Sequence, residues 1–332
     1  MELVRVNNDL QVYNPVVIEN PIKNDDKTSD ISFMSANTEP FSLEQLKSEC
    51  IIPVFAKDNE STISHQEFIE SVKYVAGNIF SGETILKPAI RVSHPIKGRI
   101  PEAMGKPAKD LLDHEKTLYY ERMAFALEIP SIRGEVSGNR MNLTLGGVRA
   151  YNQENLYAKK VEEKFKIFIG FQVKVCTNLC VSTDGLLFEV RARTIAELAK
   201  AAYDLFGNYN VYSEVDDLNH FPEVMITEHQ FAQMVGRAKM FHQLPFKEQK
   251  QLPLFPLSDS QVTQVVRGYY DDADFARNGF GEINLWQLLN LFTGANKSSY
   301  IDSFLDRSAM STSFVKGLHK ALRQRNNHWF LS

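Results

Sequence analysis

Cysteine is scarce, no sign of charge dominates, and no long apolar run occurs. Three cysteines in 332 residues cannot build the bridge framework of a small secreted domain, and one of them has no partner by arithmetic. Nowhere do 18 apolar residues run together, so no membrane-spanning helix is expected. The opening MELVRVNNDLQVYNPVVIENP has no apolar core of signal-peptide length. A net charge of −4 excludes a uniformly basic coat for nucleic acid and leaves only local patches. Gly146-Gly147 is followed by neither a Lys-Ser/Thr pair nor G-x-G-x-x-G spacing, so nucleotide binding has no support. The acids of YYDDADF lack the Gly and Glu spacing of a calcium loop and read as a solvated turn. Cys176 and Cys180 form a lone C-x3-C with Cys50 remote, which reads as reduced thiols rather than a zinc site. No cofactor, metal or membrane is expected, and the chain reads as cytoplasmic.

What the sequence does contain is a globular balance, 43% hydrophobic and 23% charged, and one strong pattern. In FKIFIGFQVKVCTNLCV, Phe165, Ile167, Ile169, Phe171, Val173 and Val175 fall on every second residue. That period predicts a long central strand with one buried face. The polar CTNLCVSTDG after it is the best local candidate for a functional loop.

Residues 1–38, rich in Asn, Asp, Pro, Lys and Ser, read as a flexible arm. Ser42 with Gln45 predicts a capped helix near 43–48, IIPVF at 51–55 a strand, and Ser64 a second helix that buries Phe68, Val72 and Val75. The basic stretch 87–109 carries Pro88, Pro95, Pro101 and Pro107 and reads as a surface loop or extended crossing. LLDHEKTLYYERMAF reads as helix. From Ala124 to Phe206 a meander of strands is expected, with a hairpin at Ser137-Gly138-Asn139, an interruption at Gly146-Gly147, and a closing helix capped by Thr194. Thr227 and Ser258 or Asp259 begin helices in the last third, and Trp286 is a core anchor. The expected fold is α+β. A central antiparallel sheet has a long middle strand and helices packed on one face. The expected units are an arm (1–38), a core domain (39–206) and a helical C-terminal region (207–332) packed on the core.

The polar side of the strands collects Lys166, Lys174, Arg191 and Arg193, beside the flat ring of Phe168, and Arg149 joins them from the GGVRAYNQENLY stretch. Lys316, Lys320 and Arg323 recur at i, i+4 and i+7 near the C-terminus. Cations with an exposed aromatic ring suit the backbone and bases of a single strand; open sheet faces also carry Lys for solubility alone.

Three blocks, GGVRAYNQENLY, FKIFIGFQVKVCTNLCVSTDG and NLWQLLNLFTGANKSSYIDSFLDR, together resemble the domain of unknown function 3871 family. Strand-then-CTN at 173–178 and LWQLLNLFT at 285–293 more distantly resemble the phage/plasmid-like domain of unknown function 932 family. The resemblance implies the setting of a conjugative or other mobile element and brings no catalytic residues with it. The expectation is a nucleic-acid-binding accessory protein with single-stranded DNA as ligand. The alternative is an interaction protein or anti-defence factor that binds an element-encoded or host protein.

Overall fold

In the computed structural model, which describes residues 32–50, 62–103, 105–153 and 162–331, helix starts follow the capping residues closely. After β1 (Glu39–Phe41), Ser42 opens α1 (Leu43–Glu49) and Ser64 opens α2 (His65–Ile79). At each start the serine hydroxyl accepts from the backbone N–H of the third helical residue, and that residue's side chain accepts from the serine N–H. The strand expected at 51–55 and most of the expected arm lie outside the described residues. Residues 32–38 are not an arm: Phe33 and Met34 are buried.

Two further expectations are corrected next along the chain. The proline-broken stretch is extended, as its prolines require, yet it is not merely a connector. β2 (Ala89–Val92) buries Ile90 and Val92 inside the main sheet, and β3 (Pro95–Arg99) pairs with β4 (Lys116–Tyr120). The segment read as helix from Leu111 onward is therefore β4 and the start of β5 (Arg122–Val136). Thr117, Tyr119 and Tyr120 are strand formers, and pairing with β3 supplies the hydrogen bonds that a helix would have supplied internally.

β5 turns into β6 (Asn139–Ala150) through Ser137 and Gly138, both at positive φ (50° and 79°). That is the two-residue turn whose twist suits a hairpin. Pro130 sits where the β5–β6 register shifts between Ile129 and Arg133, a place where a missing N–H does least harm. β6 runs through Gly146-Gly147 unbroken, contrary to the expected interruption. β7 (Glu163–Val173) is the long middle strand. Its far edge carries β8 (Leu179–Cys180) and β9 (Leu186–Ala192), giving the antiparallel order β1-β2-β5-β6-β7-β8 with β9 also on β7.

Helices complete the α+β fold. Thr194 caps α3 (Ile195–Asn208), and α4 (Val211–Asn219) follows. Past β10 (Met225–Ile226), Thr227 caps α5 (Glu228–Phe241); then come α6 (Phe246–Gln249) and α7 (Asp259–Asp271), the latter capped by Ser258. β11 (Ile283–Asn284) pairs with β10 and leads into α8 (Leu285–Asn296), and after α9 (Ile301–Gln324) the chain returns to bury Phe330 in the main core. Ser32–Ser332 is one compact unit.

The sheet is buried on both faces, and this decides the fate of the expected site. Phe165, Ile167, Ile169, Phe171 and Val173 enter the main core with Phe68 and Val72 of α2, Leu198 of α3 and Trp286 of α8. The opposite side of the same strand is not open. Phe168 joins Ala124, Ala126 and Val148 beneath Ile301, Phe304 and Leu305 of α9, with Phe33 and Met34 completing the cover. Ala124 and Ala126 contribute only methyl groups to this second cluster. Val175, expected to continue the buried series, is exposed because β7 ends at Val173 and the chain turns there.

Candidate functional site

Each candidate cation has a definite place in this frame. Arg149 is fully buried: its guanidinium pairs with Glu163, donates to the Ile63 carbonyl, and lies 4.4 and 4.5 Å from the ring centroids of Tyr151 and Phe165. It is a core tie between β6, β7 and the entry to α2. Lys166 reaches up to α9, donating to the Asp302 carbonyl (2.6 Å) and the Asp306 carboxylate (2.8 Å). Lys174 meets Glu128 at 2.8 Å, Arg191 meets Glu189 at 2.9 Å and Arg193 meets Glu162 at 3.4 Å. Lys316 bridges Glu214 (3.4 Å) and Asp217 (2.8 Å) of α4, and Arg323 pairs with Glu223. Among the described residues only Lys320 of the eight lacks such a carboxylate. The structure puts Arg149 in the core, Lys166 against α9, Lys316, Lys320 and Arg323 on α9 itself, and Lys174, Arg191 and Arg193 at or beside β7 and β9, and it covers Phe168, the ring expected to stack bases.

The loop after β7 is likewise turned inward. Asn178, Leu179, Cys180, Val181 and Ser182 are all buried. Asn178 donates to the Asn290 carbonyl of α8 at 2.9 Å, Ser308 of α9 donates to the Leu179 carbonyl at 3.0 Å, and Lys297 donates to the Cys176 carbonyl and Thr177 hydroxyl. The stretch is a joint that fastens α8 and α9 to the sheet. Its polarity satisfies buried backbone groups. Burial pushes the Cys50 and Cys176 thiols up to about 11 and raises Cys180 as well, so none is a ready nucleophile at neutral pH.

Other buried titratable groups have structural partners. His65, its ring nitrogen Nε2 2.7 Å from the Tyr120 carbonyl, is lowered to about 3 by burial and then by Arg149. Burial raises the Glu214 carboxyl, partly offset by Lys316. The hollow beside His65, lined also by Leu46, Cys50, Ser64, Gln66 and Tyr119, has a volume of about 40 Å³. That is room for about one water, against the several hundred Å³ of an ordinary small-molecule site. Among the described residues no three His, Cys, Asp or Glu side chains come together to hold a metal ion, and no helix is long and apolar enough to cross a membrane.

One exposed feature was not singled out in the sequence reading. Between α7 and β11 the chain makes a tight turn, Asn278–Glu282, that lifts Phe280 into solvent with 91% of its surface exposed. The Asn278 side-chain oxygen accepts from the N–H groups of Phe280 and Glu282, both at 2.9 Å, and the Asn278 N–H donates to the Glu282 carbonyl at 2.8 Å. Gly281 is at φ 81°, a conformation that favours glycine. The readable signal was N-G-F-G, a turn dipeptide followed by an aromatic residue between two glycines.

The architecture thus defines an α+β protein with a two-face-covered antiparallel sheet and a largely buried loop after β7. Residues 13–331 match the family model described as "Domain of unknown function, B. Theta Gene description (DUF3871)". The chain belongs to that family. No curated protein and no solved structure matches it.

Proposed function

We propose that this protein works by binding another protein, as an accessory or anti-defence factor in the cytoplasm of a cell carrying a mobile element. Single-stranded DNA is the less supported ligand. The observation that carries this reading is the pairing of the cations. Affinity for a phosphate backbone comes from cations that exchange condensed counterions for phosphates. Here seven of the eight candidates already face a carboxylate, so a phosphate would have to displace an existing partner at almost every contact. The mobile-element setting rests on the family resemblance, and the cytoplasmic one on three free thiols.

Cross-linking in the cell of origin tests the reading. Ultraviolet irradiation, which joins bound nucleotides to protein, should leave peptides carrying Lys174, Arg191, Arg193, Lys320 and Arg323 unmodified, while an amine-reactive linker should join this chain to another protein. Nucleotide adducts on those peptides would restore the nucleic-acid ligand to first place.

A further inference from the structure

We propose that the Asn278–Glu282 turn is a docking anchor: the Phe280 ring enters an apolar pocket on a partner protein, and that pocket is rimmed by lysine or arginine. This rests on the protein-partner reading above and adds the site and the chemistry of the partner.

Among the described residues, Phe280 is the most exposed of the large apolar side chains. Leaving such a ring in water forgoes about 1.5–3 kcal/mol of burial, and nothing in the fold recovers it. The turn beneath the ring is nevertheless held firmly. Besides the Asn278 bonds, the buried Tyr269 hydroxyl donates to the Gly281 carbonyl at 2.6 Å, the Gly281 N–H donates to the Asn278 carbonyl at 3.0 Å, and the Arg277 N–H donates to the Tyr269 carbonyl at 2.9 Å. An aromatic ring on a fixed backbone suits association, because the ordering of the backbone precedes binding. Rigid aromatic anchors carry much of the energy of protein interfaces.

Charge around the ring selects the partner. The segment from 271 to 282 contains Asp271, Asp272, Asp274 and Glu282 against one cation, Arg277. Glu228 of α5 adds a fifth carboxylate, next to Gly281, and its oxygen lies 3.2 Å from Arg277. Arg277 is further occupied by the Tyr270 ring, 4.5 Å from its centroid. At the turn itself the carboxylates of Glu282, bonded to the Asn278 amide, and of Glu228 outnumber the one cation, Arg277. These repel phosphate groups and acidic surfaces and favour a pocket with a basic rim.

The experiment places photo-reactive benzoylphenylalanine at position 280 of the full chain in its cell of origin, with a second protein carrying the same group at Tyr74, an exposed ring on α2. Position 280 should join a partner peptide that combines apolar residues with Lys or Arg. Phe280→Ala should lower recovery of that partner by about tenfold or more without changing the thermal unfolding midpoint, since the ring supports nothing within the fold. Glu282→Lys should weaken recovery as well. An adduct to an acidic segment, to a second copy of this chain, or within the chain overturns the proposal. Inter-protein adducts from position 74 alone remove the anchor and leave the protein-partner reading standing. Adducts from neither position remove both.

Discussion

Replacing Arg149 with Met should lower the unfolding free energy by about 3–5 kcal/mol, the usual result of stripping one member from a buried ion pair. Methionine fills much of the same space, so the loss is electrostatic. It removes the Arg149 guanidinium from the Glu163 carboxylate, which also accepts from the Ile63 N–H at 3.0 Å, and leaves the Ile63 carbonyl without the donor that Arg149 supplied. Urea unfolding of the variant beside Arg191→Met makes the comparison. Arg191 is exposed and, among the described residues, paired with Glu189, and its loss should cost no more than about 1 kcal/mol. Equal effects at the two positions would show that Arg149 is not the core tie described here.

The second large effect is expected at Gly146. A Cβ added there would collide with the Phe125 backbone carbonyl across the β5–β6 ladder and would press on the Phe168 ring at 3.0 Å. Backbone cannot rotate away as a side chain can, so Gly146→Ala should reach or exceed the upper end of the roughly 1–3 kcal/mol that overpacking costs. Gly77 offers the opposite case. It sits on an exposed turn of α2 with nothing within 4 Å of an added Cβ, and Gly77→Ala should stabilise by about 0.5–1 kcal/mol. Thermal unfolding midpoints that move in opposite directions for the two variants meet the expectation. A neutral Gly146→Ala would mean that the sheet is looser there than its register indicates.

Local signals in the chain were legible, and distant partners were not. Ser42, Ser64, Thr194, Thr227 and Ser258 each stand immediately before a helix, because capping is decided within four residues. The alternation from Phe165 to Val173 marked the middle strand for the same reason. The helix expected from Leu111 failed because β4 depends on β3, a strand about twenty residues away that Pro95 and the nearby Pro101 disguised. Burial of the second sheet face was unreadable because its cover comes from α9. Lys166 finds Asp306 across 140 residues of sequence, Lys316 finds Asp217 across 99, and Arg323 finds Glu223 across 100. A lysine on the polar side of a strand looks the same in sequence whether it faces solvent or a carboxylate brought there by folding. The basic sheet surface was inferred one strand at a time, and three-dimensional pairing divides it.

The most direct test of the central claim, that these cations are engaged by carboxylates of the protein rather than by a nucleic acid, is a fluorescence-anisotropy titration. Labelled single- and double-stranded oligonucleotides would be titrated with the full chain between about 50 and 200 mM salt, where each phosphate contact to a single strand contributes roughly −0.7 to the log–log slope. The account predicts no saturable binding at the higher salt and, across the lower salts at which any binding is measured, a slope no steeper than the roughly −0.7 of a single contact. Saturable binding of the single strand with a slope near −3, equivalent to about four phosphate contacts, would contradict it.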